Sequence, residues 1–532
     1  MTDDPKSSET LDDAASFASA LGRHEAAALS ILLICAALFR ALRWSATAVM
    51  FNDGPVFIGV AEAMAEGEWA QALSHEYHPL FPALIAALHS VIGDWELAAV
   101  AVSVIGGTAA VACLYGFTRA AFGRTTAFAA AAIFAVHPYA IKFSGDVQSE
   151  GLYLGLFLGA VWALWLALRS ASLGAAAVAG LLCGFAYLTR PEAIGLLAVG
   201  GALAAWYALR GSWSRRRAAT WGALLFLTVA CVAGPYVGWI RAESGTWSIT
   251  QKKSVGWVTG LSGPPARFAP KEAPAPAAAD RTAEQQPPGS AARSFSRYGD
   301  AVVDLLHSNL QALGPGLFAI LLAGGLIGRW RGLSLRGVFV LMIVGLYSLV
   351  LYALTLNVGY VSTRHALPPV TVALGHVGAA LLVAVGALPA SKQRVALALV
   401  SIAIAGIGLS SSLRPDRTGS VAERRAAEWL GAQDLPPGGV AVDRRRIAYY
   451  AGSPAVKIPD KPPKDVVRKM RKWGAEYLVI SDEDLADYPW LVEALPARTQ
   501  LLHQEEANGV SASVYLLLPK RRPSAASDPL RP

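Results

Sequence analysis

Long apolar runs, broken by short polar turns, fill most of the chain as far as residue 412. A helix needs roughly 20 apolar residues to cross a bilayer. Runs of about that length predict eleven spans, near 26–46, 96–118, 124–142, 151–169, 174–189, 192–209, 218–240, 312–328, 336–356, 366–388 and 393–412. Between the first two runs the pattern shortens. Val56, Phe57, Val60, Ala61 and Met64 form an apolar helical stripe opposed by Glu62 and Glu66. Leu80, Phe81, Leu84, Ile85 and Leu88 repeat that spacing after Pro79, a favourable helix-start residue. Two short helices are predicted here, either lying in the membrane interface or capping the bundle. Ser296 to Leu310 reads as a further interfacial helix, and the Pro-, Ala- and Gly-rich stretch 262–294 as a mobile outer loop.

From residue 413 the pattern changes. Val440-Ala441-Val442, Tyr477-Leu478-Val479-Ile480, Leu501-Leu502 and Val514–Leu518 read as strands, and Ala422–Leu430, Lys464–Trp473 and Asp482–Leu495 as helices. That alternation predicts a small α/β domain. The expected organisation is a tail at 1–25, a transmembrane domain at 26–412, an extracytoplasmic α/β domain at 413–520 and a tail at 521–532. The fold class is thus mainly α: a polytopic membrane helical bundle with a small C-terminal α/β domain.

Composition agrees. The chain is 54% hydrophobic and 16% charged, with a mean hydropathy of +0.41, whereas a soluble domain carries about 25% charge. The net charge of +8 would suggest nucleic acid in a soluble chain. Here the arginines fall in short loops, where they set topology, and no nucleic-acid partner is expected. Cys35, Cys113, Cys183 and Cys231 all lie inside apolar runs and read as packing residues. The first 25 residues are polar and acidic, so no cleavable signal is visible and the first run is expected to anchor the chain.

No Lys or Arg occurs from Trp44 to Thr118. Arg119 and Arg124, Arg169, Arg210 with Arg215–Arg217, Arg329 to Arg336, and Lys392 with Arg394 then share one side. The positive-inside rule makes that side cytoplasmic. The N-terminus is then inside and the C-terminal domain outside. Loop 241–298 falls outside despite its Lys252, Lys253 and arginines, because long loops cross regardless of charge.

The polar residues at the outer ends of the runs carry the candidate chemistry. Asp53, in Phe51-Asn52-Asp53-Gly54, is either a general base at the interface or an N-cap before Pro55. Asp146 and Glu150 stand about one helical turn apart and either face one site or cap the next helix. Lys142 is placed to pair with them or to bind phosphate. Arg190, before Pro191 and Glu192, either grips phosphate or pairs locally with Glu192. Arg364, in Ser362-Thr363-Arg364-His365, either does the same or snorkels at a helix end. Tyr77 and His78 are candidate donor or acceptor contacts. His75 and His78 could also hold a divalent cation, though no cofactor or metal is expected. Gly438-Gly439 precedes a strand rather than a helix, the wrong context for a nucleotide site.

Taken in order, Asn52-Asp53, His78-Pro79-Leu80-Phe81-Pro82, His137-Pro138 with Ser149-Glu150, Leu188-Thr189-Arg190-Pro191-Glu192 and Arg364-His365 with Pro368 resemble the GT-C superfamily of membrane glycosyltransferases. The nearest branches are the bacterial aminoarabinose/lipid A transferases and the protein O-mannosyltransferase-like enzymes. The resemblance covers about residues 26–412. It implies a polyprenyl-phosphate-linked sugar donor, no nucleotide sugar, and inverting transfer at the outer face of a bacterial inner membrane. The acceptor would be a lipid, a glycan or a protein. Asp53 would be the catalytic carboxylate, Glu150 and Asp146 would line the cavity, and Arg190 and Arg364 would hold the donor phosphate. The aminoarabinose branch carries a phosphate-contacting lysine in the first loop. This loop has none, so that role falls to Arg190, Arg364, Lys142 or Lys252-Lys253. The competing readings are a transporter or flippase for a lipid-linked sugar, and a membrane scaffold whose outer domain binds a partner.

Overall fold

The computed structural model describes residues 24–252, 294–327, 334–359, 361–459, 463 and 465–519. The expected mobile loop lies outside the described residues except for Ser294, as do residues 521–532 and nearly all of 1–25. The chain packs as two compact units. Among the described residues, the first holds those within 24–45, 60–252 and 294–414, and the second those within 46–59 and 415–519.

The first unit is a helical bundle. Its long helices are α1 (Glu25–Ser45), α5 (Trp95–Phe122), α8 (Glu150–Ser170), α10 (Gly195–Leu209), α11 (Arg215–Ser244), α14 (Leu335–Val358), α15 (Thr363–Gly386) and α16 (Ala390–Leu413). These eight are long and apolar enough to cross a membrane, α10 together with the short 3-10 turn Pro191–Ile194 that precedes it. Two bent pairs raise the number to ten: α6 (Arg124–Ala135) with α7 (Pro138–Ser144), at 59°, and α12 (Ser294–Leu313) with α13 (Pro315–Ile327), at 88°. The eleventh expected span, α9 (Leu173–Tyr187), has only 15 residues.

Each bend has a local cause. Gly314 joins α12 to α13 at φ +90°, a conformation that favours glycine, and Pro315 then opens the next helix. Between α6 and α7, Pro138 lacks the N–H that would continue the ladder. Fully buried Arg40 on α1 reaches this break: Nη1 donates to Ala135 O at 3.3 Å and Nε to Ser144 Oγ at 2.7 Å. Gly107 leaves room for it, since a Cβ there would come within 2.8 Å of Arg40 Nε.

The first outer loop carries α2 (Gly54–Ala65), the short α3 (Trp69–Leu73) and α4 (Leu80–Ile92). Phe81 and Ile85 of α4 are fully buried. Helices α5 and α8 meet almost backbone to backbone. A Cβ on Gly106 would lie 2.4 Å from Leu152 Cα, and one on Gly155 would lie 2.7 Å from Gly106 O. Small residues at such crossings supply packing where lipid provides no hydrophobic drive.

The second unit is an α/β domain. Its elements are α17 (Val421–Gly431), β1 (Gly439–Val442), α18 (Arg445–Tyr450), β2 (Ala455–Lys457), α19 (Val466–Lys472), β3 (Ala475–Ser481), α20 (Asp482–Ala486), α21 (Pro489–Arg498), β4 (Thr499–Ala507) and β5 (Val510–Leu517). The sheet order is β2-β1-β3-β5-β4, parallel for β2-β1-β3 and antiparallel for β3-β5-β4. β2 and α18 are absent from the sequence reading, and the single helix expected over 482–495 is two. Residues 46–59 join this unit. Thr47 bridges to Asp416, the Tyr450 hydroxyl accepts from Met50 N at 3.0 Å, Arg424 Nη1 donates to Ala48 O at 2.9 Å, and Arg417 Nη1 donates to Val49 O at 2.5 Å. Glu423 and Asp484 are buried beside Arg444, whose Nη2 lies 2.8 Å from Asp484 Oδ1. Burial and the Asp484 carboxylate push the Glu423 carboxyl up to about 8.

Gly106→Val is expected to destabilise the bundle by about 2 kcal/mol through overpacking, whereas Gly201→Ala, which meets nothing within 4 Å, is expected to be neutral. Thermal unfolding in detergent separates the two. A carboxyl whose pKa is raised on folding favours the folded state below its unfolded pKa and loses that contribution as pH rises through its folded pKa. Protection of α17 amides against hydrogen exchange, corrected for intrinsic rates, should therefore fall between pH 5 and about 8. The uncharged Glu423→Gln variant should flatten that fall, and an unchanged slope would refute the assignment.

Candidate functional site

Within the helical unit, polar residues from five segments converge. Arg190 is presented by a forced backbone turn. Pro191 pushes its predecessor into extended conformation, and Arg190 has φ −151° and ψ 133° between α9 and the 3-10 turn Pro191–Ile194. The guanidinium is buried. Nη1 lies 2.5 Å from Glu150 Oε1, at the first residue of α8, and Nη2 lies 3.4 Å from Glu192 Oε1. Tyr153, one turn along α8, offers its ring 5.7 Å from the Arg190 Cζ. Tyr347 of α14 donates its hydroxyl to Glu192 O at 2.9 Å. The local pairing with Glu192 is present, and Arg190 pairs more closely with Glu150.

Two more cations join this pair. Lys252 is half-buried, with Nζ 5.5 Å from the Tyr77 ring. Its pKa is lowered by burial and by the charge of Arg190, with Glu192 and Glu76 opposing. Arg364, at the start of α15, is also half-buried and acts electrostatically on Glu150 and Lys252. The charges of Arg190, Lys252 and Arg364 thus act on one another and on Glu150 and Glu192, and exposed Glu76 acts on Lys252. Such a set can receive an anion with two or three acceptor oxygens.

His78 is buried, and both ring nitrogens have protein partners: Nδ1 lies 2.6 Å from Tyr187 O and Nε2 lies 3.0 Å from Thr250 Oγ1. Burial, followed by the charge of Lys252, depresses its pKa to about 3. That corrects the reading of His75 and His78 as a cation pair, because His78 has no free nitrogen to offer. Among the described residues no cluster of three His, Cys, Asp or Glu could hold a metal. Asp146 Oδ1 accepts from Val147 N at 2.7 Å and its Oδ2 from Gln148 Nε2 at 3.4 Å, so the carboxylate braces its own turn. Lys142 is exposed on α7.

Asp53 belongs to the other unit. It immediately precedes α2, and its carbonyl accepts from Phe57 N at 3.2 Å, so it occupies the N-cap position. The side chain is half-buried. Sequence reasoning left out Tyr153, Tyr347 and Thr250. A lone hydroxyl carries no periodic signal that would mark it.

An open apolar cavity of about 770 Å3 runs between α4, α5, α8 and α9. Leu88, Ile105, Leu152, Trp162 and Val178 are among its walls, and none of the charged site residues lines it.

The fold is one shared with solved structures. ArnT from Cupriavidus metallidurans bound to undecaprenyl phosphate superposes with a TM-score of 0.55 at 14% identity, covering 93% of this chain and 98% of that one. The apo oligosaccharyltransferase of Archaeoglobus fulgidus gives a TM-score of 0.56 at 14% identity, covering 89% of this chain and 73% of that one. More particularly, residues 76–239 match the family described as dolichyl-phosphate-mannose-protein mannosyltransferase, so the likeness extends to sequence over that segment, which holds His78, Glu150 and Arg190. No curated protein sequence matches the chain.

Removing one partner of a buried ion pair costs about 3–5 kcal/mol, because the other charge is left uncompensated. Glu150→Ala should therefore destabilise the bundle by about 3 kcal/mol, and Glu150→Ala with Arg190→Met should recover much of the loss. A single variant as stable as wild type in thermal unfolding would show the pair to be dispensable.

Proposed function

We propose that this protein is an inverting glycosyltransferase that moves a sugar from a polyprenyl-phosphate carrier to an acceptor at the outer face of a bacterial inner membrane. The N-terminus would lie in the cytoplasm and the C-terminal domain outside it. The observation that carries the reading is the Glu150-braced Arg190 with Lys252 and Arg364 beside it, in a bundle of this fold. A lipid phosphate becomes a good leaving group once its charge is held, and fixed guanidinium and ammonium groups at the rim of a low-dielectric bundle hold it without a nucleotide. Undecaprenyl phosphate, the ligand bound to the ArnT relative, is a carrier of this kind. The open apolar cavity beside α8 supports a lipid substrate too, since an isoprenoid or acyl chain needs an apolar wall and no polar partner.

In this mechanism Asp53 accepts the proton of the acceptor hydroxyl as that oxygen attacks the anomeric carbon. The bond between the anomeric carbon and the phosphate oxygen breaks on the opposite face, its electron pair stays on that oxygen, and the lipid phosphate departs as an anion onto Arg190, Arg364 and Lys252. One inversion results. The half-buried setting of Asp53 is compatible with a carboxylate that remains reachable.

Purified protein in detergent, given a polyprenyl-phosphate sugar and a mixture of lipid and glycan acceptors, should transfer or release the sugar, which a flippase would not do. Asp53→Asn should lower turnover by about 100-fold or more while leaving thermal stability unchanged. Wild-type turnover by that variant would remove Asp53 from the chemistry.

A further inference from the structure

Lys252 belongs to no regular element. It lies in the segment Ser248 to Lys252 that follows α11; as a strap this segment packs on the bundle. A lysine on an unstructured segment is a poor anion ligand unless something fixes its backbone, since ordering it costs about 1–2 kcal/mol per residue. Here the strap is tied down in several places. The Tyr187 hydroxyl donates to Ile249 O at 2.5 Å, Gln251 Nε2 donates to Leu73 O at 2.5 Å, and Ser248 Oγ donates to Thr250 O at 2.6 Å.

The tie nearest Lys252 is the most informative, because donor and acceptor roles along it are fixed by chemistry. Tyr187 O can only accept, so His78 Nδ1 carries the ring proton. The neutral ring then has a bare Nε2, which accepts from the Thr250 hydroxyl at 3.0 Å. With its proton committed, Thr250 Oγ1 accepts from the backbone N–H of Lys252 at 3.2 Å. The three bonds form a directed chain from the end of α9 to the main chain of the lysine. The His78 ring is itself wedged between Tyr187, edge-on at 5.0 Å, and Tyr236 at 5.1 Å.

We infer that His78 and Thr250 are positioning residues that set Lys252 on the anion site, rather than groups that touch donor or acceptor. The inference rests on the reading of Lys252 as a ligand of the carrier phosphate. It accounts for a buried histidine within the site whose nitrogens both face the protein. It also accounts for how an enzyme without a lysine in its first loop supplies one from a later segment: the first loop contributes the imidazole that locates it.

The test measures binding of undecaprenyl phosphate to the purified full-length protein in detergent, together with KM and kcat for a polyprenyl-phosphate sugar. Lys252→Met reports on the phosphate reading, Thr250→Val on the positioning chain, and Thr250→Ser on its rescue. Loss of the Thr250 hydroxyl is expected to weaken binding on the order of fivefold, to raise KM similarly and to lower kcat no further than Lys252→Met does, with Thr250→Ser close to wild type. Because Thr250 acts through Lys252, the double variant should bind no worse than Lys252→Met alone. If Lys252→Met weakens binding and Thr250→Val does not, the positioning role is overturned and the phosphate reading survives. Additive losses in the double variant also overturn it. If Lys252→Met binds as wild type does, both fall.

Discussion

A guanidinium cannot be buried without a countercharge, and the centre of the helical unit is arranged around that constraint. Arg190 is inside the bundle because Pro191 turns the chain there and α9 ends there. Glu150 is the first residue of α8, where the helix dipole also favours a carboxylate. The two segments are 40 residues apart in sequence, and their 2.5 Å contact joins the end of α9 to the start of α8. Once that bond is in place, Glu192, Tyr153 and Tyr347 have fixed partners, and Lys252 and Arg364 acquire a defined electrostatic setting. Desolvation makes the whole set costly unless each charge is answered, and two carboxylates answer Arg190 directly.

Much of the helical architecture is legible from the sequence because the bilayer imposes a length on each run. The breaks are harder to read. The run 124–142 looks continuous, yet Pro138 splits it, and Arg40 from a distant helix makes the split tolerable. The α9 run ends early because Thr189 and Arg190 are polar and Pro191 follows. In the α/β domain β2 has three residues, too few to show alternation, and α18 reads Arg-Arg-Ile-Ala-Tyr-Tyr, which has no clear apolar stripe.

The site is legible in its charges and not in its frame. Arg190, Glu150 and Arg364 stand out because ionisable residues at the ends of apolar runs are costly there. Spacing alone puts Asp146 with Glu150, but the turn between them directs Asp146 into its own loop. His78 reads as a contact because imidazole is chemically versatile. Its role as a joint depends on Tyr187 and Thr250, more than 100 residues away, which no local pattern reveals.

The stretch from Ala46 to Gly59 shares a compact unit with the C-terminal domain, and its main chain is stitched to Asp416, Arg417, Arg424 and Tyr450. That domain is therefore no detachable appendage. Cutting the chain after the last apolar helix would strip the carbonyls of Ala48 and Val49 of their guanidinium donors and leave the segment leading to Asp53 without its brace. Loss of function on truncation would thus be no sign that the domain captures a partner; the cut would have slackened the stretch of chain that carries Asp53.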